Sequence, residues 1–433
     1  MTVDEYTPQS GDPGIRIRHY DLVLDYRVST NRLSGVATVR GTALAVTRTV
    51  SLDLVGLRAT RVRAGDGADL AHRQSDRKLR VTLGRPLEAG EEFAFTVSYA
   101  GAPRPRRTRW GTIGWEELED GVIVASQPTG APTWFPCNDV PADKATYRIE
   151  LTTDAAYTVV TGDAVVPPVR RGRRTWAIAY DVPTPTYLVT VQLGRYVRRP
   201  VDLGSVRGAL VHPRALAPRV DADFADLPRM MAAFERCFGP YPLPGYTVVV
   251  TPDELEIPLE AQGVGVFGAN HVDGRGGFER LIAHELAHQW FGNSVGVARW
   301  RDIWLNEGFA CYAEWIWSEE SGGADAHAKA LAHHARLSKL PQDLVLSDPG
   351  PELMFDDRVY KRGALALHAL RLTAGDAAFF ELLREWTRRH RAATATTADF
   401  LALCAELAGA EAAAILPPWL DAPALPALPP LPA

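Results

Sequence analysis

The feature that most constrains this chain is a change of period. From Ile15 to about Gly194 apolar and polar residues alternate, whereas beyond Asp221 the apolar residues fall at helical spacing. In "YDLVLDYRV", Tyr20, Leu22, Leu24, Tyr26 and Val28 share one face, as half-buried strands require. The alternation returns in "KLRVTL", "EEFAFTVSY", "YRIEL", "RTWAIAY" and "YLVTVQL", with Gly, Pro and Asp turns between them. That predicts antiparallel sheets and no helix of useful length. The later segments "FADLPRMMAAFERCFG", "KRGALALHALRL", "AAFFELLREWTRRH" and "ADFLALCAELAG" predict helices. At 433 residues one core is insufficient, so the expected class is a multidomain α+β chain. A β domain over residues 1–205 precedes a mostly helical domain over 206–415. The tail 416–433, "LPPWLDAPALPALPPLPA", is too proline-rich for a helix and is expected to lie extended or fray.

Hydrophobic residues make up 46% and charged residues 23%, the proportions of a globular protein, and the net charge is -5. Acidic and basic residues are interspersed, and "RRGRR" (Arg170 to Arg174) reads as a solvated turn, so nucleic acid is not an expected partner. Cys137, Cys237, Cys311 and Cys404 show no paired spacing, which fits a reducing compartment. The N-terminus lacks the apolar core of a signal peptide and no run reaches membrane-spanning length. A cytoplasmic location without a membrane partner is the expectation.

The chemistry concentrates in "LIAHELAHQW", Leu281 to Trp290. On a helix His284 and His288 stack at i and i+4 and can aim at one point. Glu285 lies one residue round, placed to act on a metal-activated water rather than to bind the metal, as in H-E-x-x-H zinc proteases. The pattern alone leaves a second reading open: two histidines satisfied in an ordinary core. A catalytic zinc site needs a third protein ligand and an open position. Glu307, in "WRDIWLNEGFACYAEW", lies nineteen positions after His288, far enough for a loop and a returning helix. On that helix Glu307, Cys311 and Glu314 share a side, which suits Glu314 to orient a ligand histidine; a solvated surface acid is the alternative.

"HELAHQWFGN", the eighteen-residue gap to Glu307 in "WLNEGFA", and "VYKRGALALHAL" together resemble the M1 family of zinc aminopeptidases, the gluzincins that include aminopeptidase N. Upstream, "SQPTGAPTWFPCNDVPADKATYRIEL" resembles that family's N-terminal saddle motif, and "CFGPYPLPGYTVVVTPD" the lead-in to its substrate-binding strand. The resemblance implies an N-terminal antiparallel β-sandwich followed by a thermolysin-like catalytic domain. It implies one zinc per chain, held by His284, His288 and Glu307, with Glu285 as general base. It also assigns Tyr360 to the tetrahedral oxyanion; by spacing alone Tyr360 is an ordinary helix-start aromatic.

The family's Gly-x-Met-Glu-Asn stretch, which receives the free N-terminus of a peptide, is represented here by "IPLEAQG". Glu260 is kept, whereas Ile257, Pro258, Leu259 and Ala261 replace the other four residues, and Pro258 brings no N–H. By resemblance Glu260 pairs with the substrate ammonium and Gln127, in "SQPTG", stands beside it. Larger members continue into a small β domain and a helical cap, and the expectation is a short form without that cap. The expected activity is aminopeptidase action on peptides with a free N-terminus. The rivals are a zinc endopeptidase of the same fold and an inactive interaction scaffold. His327, His333 and His334, in "DAHAKALAHHARL", are expected to be solvated, and His271 to have no special role.

Overall fold

The alternating segments do form strands, and the computed structural model, which describes residues 2–161, 164–165 and 169–431, arranges them in layers. A seven-stranded sheet runs in the order Ala164–Val165, Arg173–Thr184, Ala145–Asp154, Ile15–Arg27, Arg32–Ala43, Glu92–Gly101, Arg58–Ala64. A five-stranded sheet (Thr158–Val160, Gln192–Gly194, Gly121–Ala125, Gly111–Leu118, Arg106–Thr108) and a three-stranded sheet (Thr47–Asp53, Lys78–Leu87, His72–Gln74) complete the N-terminal domain. Tyr20, Leu22, Leu24 and Tyr26 are almost fully buried while Val23 between them is 52% exposed, so the period of two is the signature of one covered face. The core is aromatic: Tyr20 stacks on Tyr147 at 5.1 Å, and Trp115, Trp134 and Phe135 pack around them.

One pairing departs from the antiparallel sheets that the sequence leads one to expect. Ile15–Arg27 pairs in parallel with Ala145–Asp154, Leu22 opposite Ile149. A parallel neighbour needs a crossover, and here most of the domain's other strands lie between the two partners. The expected solvated turn at Arg170 to Arg174 is also corrected at Arg173, whose guanidinium is held by Asp25 at 2.5 Å and by the carbonyls of Tyr26 and Thr152.

A fourth, mixed sheet runs in the order Val197–Leu203, Val206–His212, Gly245–Val250, Val264–Phe267, Leu259–Ala261. Residue 205 falls in the turn of its first hairpin, so the boundary expected there moves upstream, between Gly194 and Val197. Leu203, Val206 and Leu210 from that hairpin share a core with Val220 and Phe224. Strand alternation runs on through the break because both domains contain sheet. The helices are α1 (Ala217–Asp223), α2 (Leu227–Phe238), α3 (Glu279–Ala287), α4 (Trp304–Glu320), α5 (Ala326–Leu337), α6 (Asp357–Ala374), α7 (Asp376–Arg389), α8 (Thr397–Leu407), α9 (Ala410–Ala413) and α10 (Leu416–Asp421).

The last helix corrects the expected loose tail. Pro417 and Pro418 sit in the first turn of α10, where a missing N–H costs nothing. Leu416, Trp419 and Leu420 are buried, and the guanidinium of Arg362 gathers the carbonyls of Trp419, Ala422, Pro423 and Ala424. The histidines of α5 are likewise partnered rather than simply solvated. His327 meets His368 at 3.1 Å, His333 stacks on Trp315, and His334 reaches the carbonyl of Pro426.

Candidate metal centre

Helix α3 buries Ile282, Ala283, Leu286 and Ala287 in the core, which turns His284, Glu285 and His288 together toward the opposite side. Helix α4 is buried from Trp304 to Trp317 and packs against α3. Glu307 stands in its first turn, where the helix dipole favours a carboxylate. Glu307 Oε2 lies 3.5 Å from His284 Nε2 and 3.3 Å from His288 Nε2. The ligand atoms of the three residues all lie within 4.8 Å of one another, in the one such group among the described residues.

The other ring nitrogens are engaged. His284 Nδ1 donates to Glu314 Oε1 at 2.8 Å, and His288 Nδ1 to the carbonyl of Phe291 at 3.0 Å. These bonds commit each Nδ1 as a donor, so that each Nε2, once it gives up its proton, presents a lone pair to an ion beside Glu307. Two imidazole nitrogens and one carboxylate oxygen are the donor set of a catalytic zinc site with a position to spare, so the residues fit that ion.

The electrostatics agree. Glu260, Glu285 and Glu307 are buried around the two histidines, while Glu314 behind His284 is paired with Arg280 and Lys361. Burial by itself raises the Glu307 carboxyl, but the His288 charge and the bonds from both histidines bring it down to about 2. Burial likewise opposes ionisation of Glu314, where the His284 bond and the Lys361 and Arg280 charges win and hold it near about 2. Glu285 is pushed up to about 7, first by burial and then by Glu260 and Glu307, against the pull of the histidines. Its Oε2 is buried without a partner.

Tyr360 enters from α6, whose N-terminus is capped by Asp356. Helices α4 and α6 touch at Gly308 and Gly363: a Cβ on Gly308 would lie 2.8 Å from Gly363 Cα, so neither position admits a side chain without separating the helices. That close approach sets the Tyr360 ring nearly parallel to His284, centroids 5.9 Å apart. Burial, then the charges of Glu307, Glu260 and Glu285, keep its phenol protonated and therefore a donor.

Glu260 sits on the edge strand Leu259–Ala261, opposite Gly265, and is 9% exposed. Its carboxyl is raised chiefly by burial, with His288 and His284 pulling it down and Glu307 pushing it up, which places it in the same field as the cluster. No side chain among the described residues bonds it. Gln127, in the turn two residues beyond the strand Gly121–Ala125, has a buried Nε2 with no partner and makes no bond to Glu260.

Two groups were not anticipated from the sequence. Arg280 pairs with Glu314 at 3.1 Å and stands one turn before His284, an i, i+4 spacing that could have revealed it. The Phe291 carbonyl is backbone, and no residue type announces it.

Family models agree with this architecture: the Peptidase M1 N-terminal domain matches residues 17–188 and the Peptidase family M1 domain residues 224–419. Human endoplasmic reticulum aminopeptidase 1 is 28% identical over 411 residues, 86% of this chain and 43% of its own. Leucyl aminopeptidase of Saccharolobus solfataricus is 24% identical over 441 residues, covering 95% and 54%. The chain thus spans about half the length of these curated relatives. The M1 zinc metallopeptidase from Deinococcus radiodurans has a TM-score of 0.91 at 34% identity, with 100% of both chains covered. A variant of it has been solved bound to a Tyr-Ser-Ala substrate. With both domain models matched and a structural relative covered end to end, this chain belongs to peptidase family M1.

Proposed function

We propose that the chain is a zinc-dependent aminopeptidase that removes residues singly from the free N-terminus of peptides, with one zinc per chain on His284, His288 and Glu307. The observation that carries the exopeptidase reading is Glu260, a buried carboxylate beside the metal cluster with no hydrogen-bonding side chain of its own. A substrate ammonium is the partner such a group lacks. The aminopeptidase names of the curated relatives and the tripeptide bound by the Deinococcus variant support the same reading.

Zinc, when bound, supplies Lewis acidity that polarises a carbonyl and makes water nucleophilic near neutral pH. Glu260 pairs with the ammonium and so places the first peptide carbonyl at the cluster. Glu285, its free oxygen buried and its carboxyl at about 7, takes a proton from the attacking water and passes it to the leaving amine. Tyr360 donates to the oxygen on which negative charge develops. Glu314 and the Phe291 carbonyl hold the two imidazoles in register.

The loss of the family's residues at Ile257, Pro258, Leu259 and Ala261 favours an endopeptidase as the second reading. Ile257 is 73% exposed, but Glu260 keeps its place in the sheet. An inactive scaffold has no use for an orphaned general base beside a complete donor set.

The test is release of amines from a panel of aminoacyl amides before and after chelation. Loss of activity on zinc removal and recovery on re-addition are expected; hydrolysis that survives complete removal contradicts the reading. The four cysteines, all free and buried, support our placement in the cytoplasm. Among the described residues no helix is long and apolar enough to cross a membrane.

A further inference from the structure

Lys144 belongs to the N-terminal domain, yet among the described residues its ammonium bonds to the catalytic domain alone. It donates to the carbonyls of Asn293 at 3.0 Å and Ser294 at 2.8 Å, in the turn that follows His288. Asn293 is fully buried and passes the connection on. Its Nδ2 donates to the carbonyl of Ala261 at 2.8 Å, next to Glu260, and to Gln289 Oε1 at 3.1 Å. Gln289 Oε1 also accepts the Gly263 N–H at 2.9 Å, while Gln289 Nε2 returns to the carbonyl of Glu285. The Asn293 N–H closes on the His288 carbonyl at 3.0 Å. Two of these bonds, Asn293 Nδ2 to the Ala261 carbonyl and the Gly263 N–H to Gln289 Oε1, join the Glu260 strand and the turn that leaves it to the segment after His288, and the others brace that segment. Gly296 independently marks the passage of the lysine: a Cβ there would stand 3.1 Å from Lys144 Cε.

We propose that Lys144 is a positioning residue for recognition of the substrate amine, fixing the turn after His288 and, through Asn293, the separation between Glu260 and the metal cluster. The inference rests on the aminopeptidase reading, because only a bound ammonium makes that separation matter. Buried, paired carbonyls hold one geometry; without the lysine, two carbonyls at the domain junction lose their donor and the turn can shift. A shift of the Glu260 strand weakens an interaction made alike in the ground and transition states, so KM rises while kcat is spared.

The experiment compares wild type with Lys144→Met, Asn293→Ala and the double variant, measuring zinc content, melting temperature, kcat and KM on one aminoacyl amide. For Lys144→Met we expect wild-type zinc content, KM raised about tenfold or more, and a small change in kcat. Lys144→Arg, which keeps the donors, should recover part of the loss. The double variant should match the worse single variant rather than the product of both, because the two residues lie on one path. Should Lys144→Met fail to fold, Gly296→Ala keeps the lysine but crowds its stem, and must raise KM in the same sense. Wild-type KM in the variant that folds, a loss confined to kcat, or multiplicative effects overturn the role of Lys144. Those outcomes leave the functional reading intact, whereas a zinc-loaded wild type that hydrolyses no free-amine substrate removes both.

Discussion

His284 Nδ1 lies 2.8 Å from Glu314 Oε1, and the same carboxylate is clasped by Arg280 at 3.1 Å, so one acid on α4 orients a ring on α3. Replacing it with Ala should leave the fold but weaken zinc affinity by about 10- to 100-fold, since a freed imidazole can rotate and take the wrong tautomer. Competition with a chromogenic chelator measures this. Unaltered affinity would reduce Glu314 to an ion-pair partner of Arg280.

Chemistry and binding separate at Glu285. Glu285→Gln should retain zinc and melting temperature yet lose hydrolysis by several orders of magnitude, because an amide cannot take up the proton. Metal analysis alongside single-turnover assays decides it. Retention of more than a tenth of the wild-type rate would point to a different base.

The histidine and glutamate spacings are legible because they are properties of one helix: side chains four residues apart must share a face, whatever surrounds them. Glu307 could be placed only as a candidate, since its approach to the histidines depends on how α4 packs against α3, a contact between two helices that no local spacing records. The parallel pairing of Ile15–Arg27 with Ala145–Asp154 leaves no trace in local periodicity, which reports which face is buried and not which strand lies alongside. The tail escaped for a related reason. Its prolines count against a helix on average, but they fall in the first turn of α10, and the burial of Trp419 beneath Arg362 supplies what propensity lacks. Lys144 reads as one more polar residue in "PADKATY" until its partners, some 150 positions on, come into view.

Tyr360 faces the cluster from a third helix, and its hydroxyl matters once charge develops on the substrate oxygen. Tyr360→Phe should therefore lower kcat by about 10²- to 10³-fold with little change in KM, as for other single oxyanion donors. Full activity in the variant would make Tyr360 a packing residue against His284.

Away from the site, Asp139 offers a test of the buried charges of the β domain. Burial, then the nearby charge of Asp53, pushes its carboxyl up to about 7 against the Thr186 hydroxyl that bonds it; its Oδ2 has no partner. Between about pH 4 and pH 7 the folded chain then holds a proton that the unfolded chain has released. Stability must fall as pH rises through that window, by at most about 1.4 kcal/mol per pH unit from this group. Asp139→Asn lacks the titration, so it should gain on wild type between pH 5 and pH 8 in urea unfolding. A difference between the two that stays constant with pH would contradict the assignment.

In the proposed reaction Glu260 and the zinc cluster act together on a free N-terminus. The most direct measurement follows the products of one peptide by mass spectrometry, offered to the zinc-loaded wild type with a free and with an acetylated N-terminus. Facing an acetyl group, Glu260 stays desolvated and unpaired, a cost of about 2 to 5 kcal/mol, which corresponds to roughly thirty-fold or more in kcat/KM. Stepwise loss of single residues from the free peptide, resistance of the acetylated one, and loss of most of that discrimination in Glu260→Ala with zinc still bound are expected. Rapid internal cleavage of the acetylated peptide by the wild type would contradict the proposed reaction.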